Sequence, residues 1–368
     1  MVSMTIDLIK RLKQVIFLQM VFPLISRIVW YVNPTRRKRN SYIKNEAARL
    51  EQGLRTGSLQ TAVLVYDNSV SPPSYGDFIN VLMIGRFLVA HNVDVELILT
   101  SSGFPSFYSN LLGEDQLQEF VEDEKRIATA FVLDIKIDVC SSQELKLLLS
   151  KYEMEGKYLV FRDYVSNQLT IYDLAFDFTK VMLANSSRAI KESTLFSKNS
   201  ISVNNSILPE SKYISFSCRW NESWSQHRNM TTELFLNLVN LLRIEFPSHD
   251  LIAVSDQKGC DHFRNIANRN QLRCSFSKDY SDSFLGDVAL VLNSDVFVQI
   301  RGGGIGTVPL WSDLPLLFFS RISSERSLLR RRTAQLKDHS QQFIVDYGLP
   351  SDRRLKKHLS RLRLEICS

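Results

Sequence analysis

The feature that most constrains this chain is a regular alternation, beginning at Thr61, of short apolar runs with amphipathic segments. The run TAVLVYD (61–67) is continuous and rich in β-branched residues, as in a buried strand, and DVELILT (94–100) repeats the pattern. Between them, residues 76–90 carry apolar side chains at helical spacing. Strands that alternate with helices form parallel sheets covered by helices on both faces, so the sequence predicts an α/β fold.

The alternation runs through two units of similar size, separated by a stretch rich in Ser and Asn (191–209). In the first unit we expect strands at 61–67, 94–100, 135–140 and 158–163, and helices at 76–90, 113–127, 142–151 and 172–190. In the second unit we expect strands at 212–218, 250–256, 272–276, 295–300 and 315–320, and helices at 231–246, 259–268 and 281–292, with a short helix after a glycine-rich turn.

These units predict two Rossmann-like, doubly wound domains that face each other across a cleft. The expected segments are a basic and apolar amino-terminal segment (1–40), a first domain (41–195), a linker (196–210), a second domain (211–345) and a basic carboxy-terminal helix (346–368).

The composition excludes a disordered chain and a multi-span membrane protein, because 44% of residues are hydrophobic and 23% are charged. The net charge of +6 is concentrated near the two ends, where blocks of Lys and Arg suit anionic lipid or solvated helix faces. We find no zinc-finger spacing and no RNA-binding signature, so we expect no nucleic-acid partner. The five cysteines have neither metal-ligand nor redox spacing, which indicates a reducing compartment and no metal site.

An apolar stretch (15–32) lies between basic flanks near the amino terminus and contains Gln19, Pro23 and Arg27. No small-residue cleavage site follows it, so it does not resemble a signal peptide. We expect an amphipathic helix that lies in the membrane interface, at the cytoplasmic side of the membrane, with Trp30 at headgroup level. A spanning helix and a helix packed on the protein's own surface remain alternatives.

The first candidate site is the Gly76–Asp77 pair, which follows the strand at 61–67 and opens a helix. Ligands of open α/β sheets bind beyond the carboxyl ends of the strands. Gly76 would permit a tight turn, and Asp77 could take a proton from an attacking hydroxyl. The alternative is that Asp77 is an ordinary helix N-cap.

The second candidate, VFVQIRGGGIGTVPLWSDLP (296–315), is a buried strand followed by Arg301, Gly302, Gly303, Gly304 and then Thr307. Glycines let a phosphate approach backbone N–H groups, and a following helix adds a favourable dipole. The spacing is neither a dinucleotide fingerprint nor a P-loop. The alternative is a tight turn that needs left-handed glycines.

Further candidates follow other strands of the second unit. Arg219 follows the strand at 212–218, and its planar guanidinium suits a diphosphate; a surface ion pair is the alternative. Weaker candidates for the same sheet edge are His227, Arg228, Ser255, Asp256, Asn293 and Ser294. Ser255 and Asp256 could instead cap the next helix, and His227 could be an ordinary exposed histidine.

Residues 75–99 (YGDFINVLMIGRFLVAHNVDVELIL) and 287–315 resemble segments of the B-type glycosyltransferase superfamily. The first resembles the heptosyltransferase opening, in which the Asp of a Gly-Asp pair is the proposed base; the resemblance assigns that role to Asp77. The second resembles the donor-side strand, glycine turn and helix. The Arg219 loop followed by SDQKG (255–259) resembles fucosyltransferases of this fold, in which an Arg contacts the donor diphosphate. The chain departs from the superfamily after the glycine turn, where no acidic residue follows before Asp313.

The resemblance implies a metal-independent glycosyltransferase without a cofactor, whose substrate is a GDP-, UDP- or ADP-linked sugar and whose acceptor is a cell-envelope or lipid-linked glycan. Its first domain would face the acceptor and its second would hold the donor. A nucleotide-sugar epimerase, a pyruvyl-type transferase and a non-catalytic glycan-binding protein remain alternatives, because one fold hosts several activities.

Overall fold

The computed structural model describes residues 34–71, 74–101, 103, 114–161, 171–198, 200–201, 208–222, 229–300, 304–320, 343–347 and 351–367. These residues form two all-parallel sheets with helices packed on both faces, so the predicted doubly wound α/β class is confirmed. The predicted amphipathic helix at 15–32 lies outside the described residues.

The first unit begins with helix α1 (Pro34–Thr56), a single helix that crosses the predicted segment boundary at residue 40. Its strands are β1 (Thr61–Tyr66), β2 (Asp94–Thr100), β3 (Lys136–Cys140) and β4 (Tyr158–Leu159), arranged in the order β3-β2-β1-β4. Its other helices are α2 (Tyr75–Val89), α3 (Glu114–Phe131), α4 (Ser142–Met154), α5 (Ile171–Ala184) and α6 (Arg188–Thr194).

The second unit contains β5 (Tyr213–Ser217), β6 (Asp250–Val254), β7 (Ser275–Phe276), β8 (Val296–Ile300), β9 (Leu316–Ser320) and β10 (Phe343–Tyr347), in the order β10-β9-β8-β5-β6-β7. Its helices are α7 (Thr232–Glu245), α8 (Gln257–Arg269), α9 (Phe284–Asn293), α10 (Thr307–Leu310) and α11 (Asp352–Cys367). Short 3-10 turns lie at Ser277–Asp279 and Gly304–Gly306.

Alternate residues of the strands enter different apolar clusters, which is why the sequence shows continuous apolar runs there. In β1, Leu64 packs in the cluster beneath α2, whereas Val63 and Val65 pack in the cluster beneath α4. In β5, Phe216 packs beneath α7 and α8. Both faces of these two strands are therefore buried.

Several predicted elements differ in extent. The single helix expected at 172–190 is two helices, because Ser187 caps a new helix with its side chain accepting from the N–H of Ile190. The strands expected at 158–163 and 272–276 are two residues long in the structure. Strand β10 was not predicted.

The two units share a continuous apolar core. Phe78 of α2, Phe297 of β8 and Trp311 after α10 belong to the same buried cluster. The stretch expected to be a plain linker contributes to it as well, because the N–H of Phe196 donates to the carbonyl of Trp311 (2.8 Å) and the Phe196 side chain is buried.

Candidate functional site

The carboxyl edges of the two sheets meet where the start of helix α2 contacts the turn after β8. A Cβ added at Gly76 would lie 2.8 Å from Oγ1 of Thr307 and 3.3 Å from Cα of Gly304. A Cβ at Gly304 would lie 3.4 Å from the backbone nitrogen of Gly76. Two sequence-predicted site segments, far apart in the chain, are thus brought into close contact, and the space is tightest at Gly76.

Asp77 is the third residue of α2 and is 7% exposed. Ser74 occupies the N-cap position and its carbonyl accepts from the N–H of Asp77 (3.1 Å), so the alternative of Asp77 as an N-cap is wrong. A carboxylate in the first turn interacts favourably with the positive end of the helix dipole. The structure therefore places a mostly buried carboxyl group within one residue of the Gly76–Thr307 contact.

The turn after β8 is packed against the strand that precedes it. Gly306 faces the side chain of Gln299, whose amide atoms would lie 2.3 Å from a Cβ at Gly306. Gln299 is fully buried, and neither its Oε1 nor its Nε2 has a hydrogen-bond partner among the described residues. Thr307 begins α10 and is 8% exposed. Arg301, Gly302 and Gly303 lie outside the described residues.

Arg219 and the Ser255–Asp256 pair follow neighbouring parallel strands, β5 and β6, so they lie at the same carboxyl edge as the turn. Asp256 caps α8, its Oδ1 accepting from the N–H of Gly259 (2.8 Å), as the capping alternative proposed. Ser255 packs over Gly259 and is half-buried, as is Arg219. His227 and Arg228 lie outside the described residues.

The structure corrects the predicted location of Asn293 and Ser294. They end helix α9 immediately before β8, and the N–H of Asp295 donates to the carbonyl of Tyr213 at the start of β5 (3.0 Å). Residues that precede a strand lie at the amino edge of a parallel sheet, whereas the glycine turn lies at the carboxyl edge. Asn293 and Ser294 are thus not part of the site, and Ser294 instead hydrogen-bonds to Ser215 inside the sheet (2.7 Å).

A buried ion pair at the carboxyl edge of β7 was missed. Lys278 Nζ donates to Oδ2 of Asp287 (2.8 Å), and the two side chains are only 6% and 8% exposed. Burial raises the pKa of Asp287 to about 6, although Lys278 acts against the shift. Ser277, beside Lys278, donates to the carbonyl of Ser255 (3.3 Å), which links the pair to the predicted edge. The signal was the polar SKD (277–279) directly after a strand.

A polar network at the carboxyl edge of the first sheet was also missed. Thr100 Oγ1 donates to Oδ1 of Asp67 (2.7 Å), and Asn68 Nδ2 donates to the Thr100 carbonyl (3.0 Å) and to Oε2 of Glu124 (2.9 Å). Glu124 is fully buried, and desolvation raises the pKa of its carboxyl to about 8. The sequence pattern predicts only an amphipathic helix at this position.

An aromatic cluster joins the two units beside the glycine contact. The ring of Tyr75 stacks on Phe120 (4.8 Å between centroids) and packs against Phe284 of the second unit (4.5 Å). The Tyr75 hydroxyl donates to Oδ2 of Asp123 (2.8 Å), and burial together with this carboxylate raises the pKa of the phenol. The start of α2 is therefore fixed from both sides.

Within the described part of the chain, no group of three or more His, Cys, Asp or Glu side chains is arranged to hold a metal ion. Over the same residues, no helix combines the length and the apolar character that crossing a membrane requires.

Searches against known proteins gave structural likenesses only. No protein-family model matches the chain, and no curated protein sequence does. The structure of ADP-heptose LPS heptosyltransferase II of E. coli matches with 13% identity and a TM-score of 0.46, over 84% of this chain and 100% of that chain. A family 9 glycosyl transferase of Veillonella parvula matches with 9% identity and a TM-score of 0.45, over 83% and 97%. UDP-GlcNAc 2-epimerase of Neisseria meningitidis matches with 10% identity and a TM-score of 0.43, over 83% and 94%.

Proposed function

We propose that this protein is a glycosyltransferase that moves a sugar from a nucleotide-diphosphate donor to an acceptor hydroxyl. The observation that carries the proposal is the contact of Gly76 with Gly304 and Thr307, which brings the start of α2 to the turn after β8. A carboxyl group and a glycine-rich turn thereby stand together at the joined carboxyl edges of two parallel sheets, where ligands of such folds bind.

The roles follow from the chemistry of each group. Asp77 would accept the proton of the attacking hydroxyl. Arg219 and the backbone N–H groups of 302–304 would stabilise the negative charge that develops on the leaving diphosphate, in place of a metal ion. The chain offers no convincing Asp-x-Asp pair for a metal role, and we therefore expect transfer to continue in the presence of EDTA.

The acceptor that fits the basic ends of the chain is a lipid-linked or cell-envelope glycan at the cytoplasmic face of an anionic membrane. Clustered Lys and Arg concentrate a protein at such a surface within a Debye length. The sugar and the nucleotide of the donor are the variables that the experiment must identify.

The test begins with binding. Thermal unfolding is followed with GDP, UDP, ADP and CMP, for the wild type and for Arg219→Ala and Gly303→Val. A ligand that binds the folded state raises the unfolding midpoint as its concentration exceeds its dissociation constant. We expect one nucleoside diphosphate to stabilise the wild type and neither variant. The proposal fails if none of them stabilises the wild type.

Catalysis is then separated from binding with Asp77→Asn. We expect this variant to keep the nucleotide-dependent stabilisation and to lose transfer by about 100-fold or more, as for the loss of a general base. Incubation of the nucleotide-sugar alone is the control for the epimerase alternative, which predicts a changed sugar without any acceptor. Unchanged transfer by Asp77→Asn would remove Asp77 from the mechanism.

A further inference from the structure

Helix α11 presents a strongly basic outer face. It contains six Lys or Arg residues against two acidic residues. Leu355, Leu359 and Leu362 form its buried seam, packed on the apolar cluster of the second unit. The exposed residues of the helix include Arg353, Lys356, Lys357, Arg361, Arg363 and Leu364.

An apolar side chain stands in the middle of this basic face. At 3.6 residues per turn, Arg353, Lys357 and Leu364 lie on one line along the helix, opposite the leucine seam. Leu364 is 72% exposed. A face that only kept the protein soluble would not require a leucine at that position.

Helix α7 adds a second exposed apolar residue at the same end. The hydroxyl of Ser360 donates to Oε1 of Glu245, the last residue of α7 (2.9 Å), so the two helices lie side by side at this point. Ile244, which precedes Glu245, is 62% exposed. The leucine seam and this hydrogen bond hold the two helices as one surface, which we call the α7–α11 face (Ile244, Arg353, Lys356, Lys357, Arg361, Arg363 and Leu364).

The basic residues and the exposed aliphatic residues of this face together indicate what kind of partner it binds. Phosphates of nucleic acid and of lipid headgroups both attract Lys and Arg, but only a bilayer offers an apolar layer for protruding aliphatic side chains. A helix that lies flat, with basic residues at the headgroups and leucine or isoleucine below them, is the arrangement of interfacial helices.

We infer that the α7–α11 face docks the protein on an anionic lipid bilayer. The inference rests on the membrane association of the proposed function and assigns it to a defined surface, but it requires neither a nucleotide nor transfer, so vesicle binding and catalysis can fail separately.

The test measures partition of the full chain onto vesicles of phosphatidylcholine mixed with phosphatidylglycerol, in a lipid titration through half-binding. The triple variant Arg353→Glu, Lys356→Glu, Lys357→Glu should bind about 100-fold more weakly or worse, since each basic residue near an anionic surface contributes roughly 1 kcal/mol. Leu364→Ser, which leaves the charge unchanged, should bind about three-fold more weakly. All substituted residues are exposed, and circular dichroism checks that the variants fold.

A matched control reverses the same number of charges elsewhere. Lys136, Lys146 and Lys151 are exposed on the first unit, and Lys151 pairs with Glu155 (3.8 Å). The same unit carries the exposed apolar residues Leu147 and Met154. The change of the three lysines to Glu should weaken binding less than about two-fold, because this face carries acidic residues as well. Equal loss in both triple variants, or no loss in either, would overturn the inference. Unchanged vesicle binding by Leu364→Ser would also overturn it. So would binding of duplex DNA through the α7–α11 face by a protein that does not bind vesicles.

Discussion

At the scale of single residues, Glu124 is an ionisable side chain that is buried beside the carboxyl edge of the first sheet. Its Oε2 accepts from Asn68, whereas its Oε1 has no hydrogen-bond partner among the described residues, and the side chain is fully buried. Desolvation disfavours the charged carboxylate, which raises its pKa to about 8. At neutral pH the folded protein therefore holds a proton that the unfolded chain has already released.

This raised pKa predicts a pH-dependent stability. The stabilisation is complete below the pKa of the unfolded chain, about 4.3 for a glutamate, and is lost as the pH rises through the folded value of about 8. Glu124→Gln keeps the shape of the side chain but cannot ionise. From pH 5 to pH 8, we therefore expect its free energy of unfolding to rise relative to that of the wild type by on the order of a few kcal/mol. Urea unfolding at the two pH values measures the difference.

The control is Glu122→Gln on the same helix, whose side chain is 56% exposed. It should leave the pH dependence of unfolding as in the wild type. Parallel pH profiles for the wild type and Glu124→Gln would show that Glu124 does not hold the proton.

At the scale of elements, helix α2 links the two sheets. Its first turn contacts the glycine turn of the second unit, and its last turn is held by Arg86, which donates to the carbonyls of Thr194 (2.6 Å) and Phe131 (2.7 Å). Burial lowers the pKa of Arg86 to about 10. The helix is thus fixed at both ends by partners that are remote in sequence.

The contact at the start of α2 can be tested by adding one methyl group. Gly76→Ala would place a Cβ 2.8 Å from Oγ1 of Thr307 and 3.3 Å from Cα of Gly304, so the elements must separate slightly. We expect a loss of about 1–3 kcal/mol in the free energy of unfolding, as for other overpacked sites. The loss should be smaller in the background of Thr307→Ala, which removes the nearer atom. A Gly76→Ala variant as stable as the wild type would show that the elements do not touch in this way.

At the scale of the whole molecule, the two units are stabilised by one shared apolar core. Trp311 is fully buried, and its Nε1 donates to Oδ1 of Asn80 across the units (2.8 Å). The ring of Phe176 packs against it at 4.8 Å. A buried hydrogen bond between the units contributes both stability and a fixed relative orientation.

Removal of this bond should destabilise the protein as a whole. Trp311→Phe leaves the Asn80 carbonyl oxygen buried without its donor and removes volume, so we expect a loss of about 2–4 kcal/mol. The double variant Asn80→Ala, Trp311→Phe should lose less than the sum of the two single variants, because the partners act on each other. Denaturant unfolding of the four proteins measures this coupling, and strict additivity would contradict it.

Much of the fold could be predicted from the sequence because the residues of each strand themselves indicate that the strand is buried. Residues 62–66 and 97–99 are apolar without a break, as in strands that are covered on both faces. The alternation with helices then implies parallel sheets, and parallel sheets place Arg219, Ser255 and the glycine turn at one edge. These assignments depend on the chain near each residue and on a topology rule.

The tertiary structure alone decided which polar residues meet. Lys278 finds Asp287 only after β7 and α9 have packed. The contact of Gly76 with Thr307 joins helices of different units. The periodicity of the sequence determines which side chains are buried, whereas the partner of a buried polar group is set by how separate elements pack together, which no local pattern specifies.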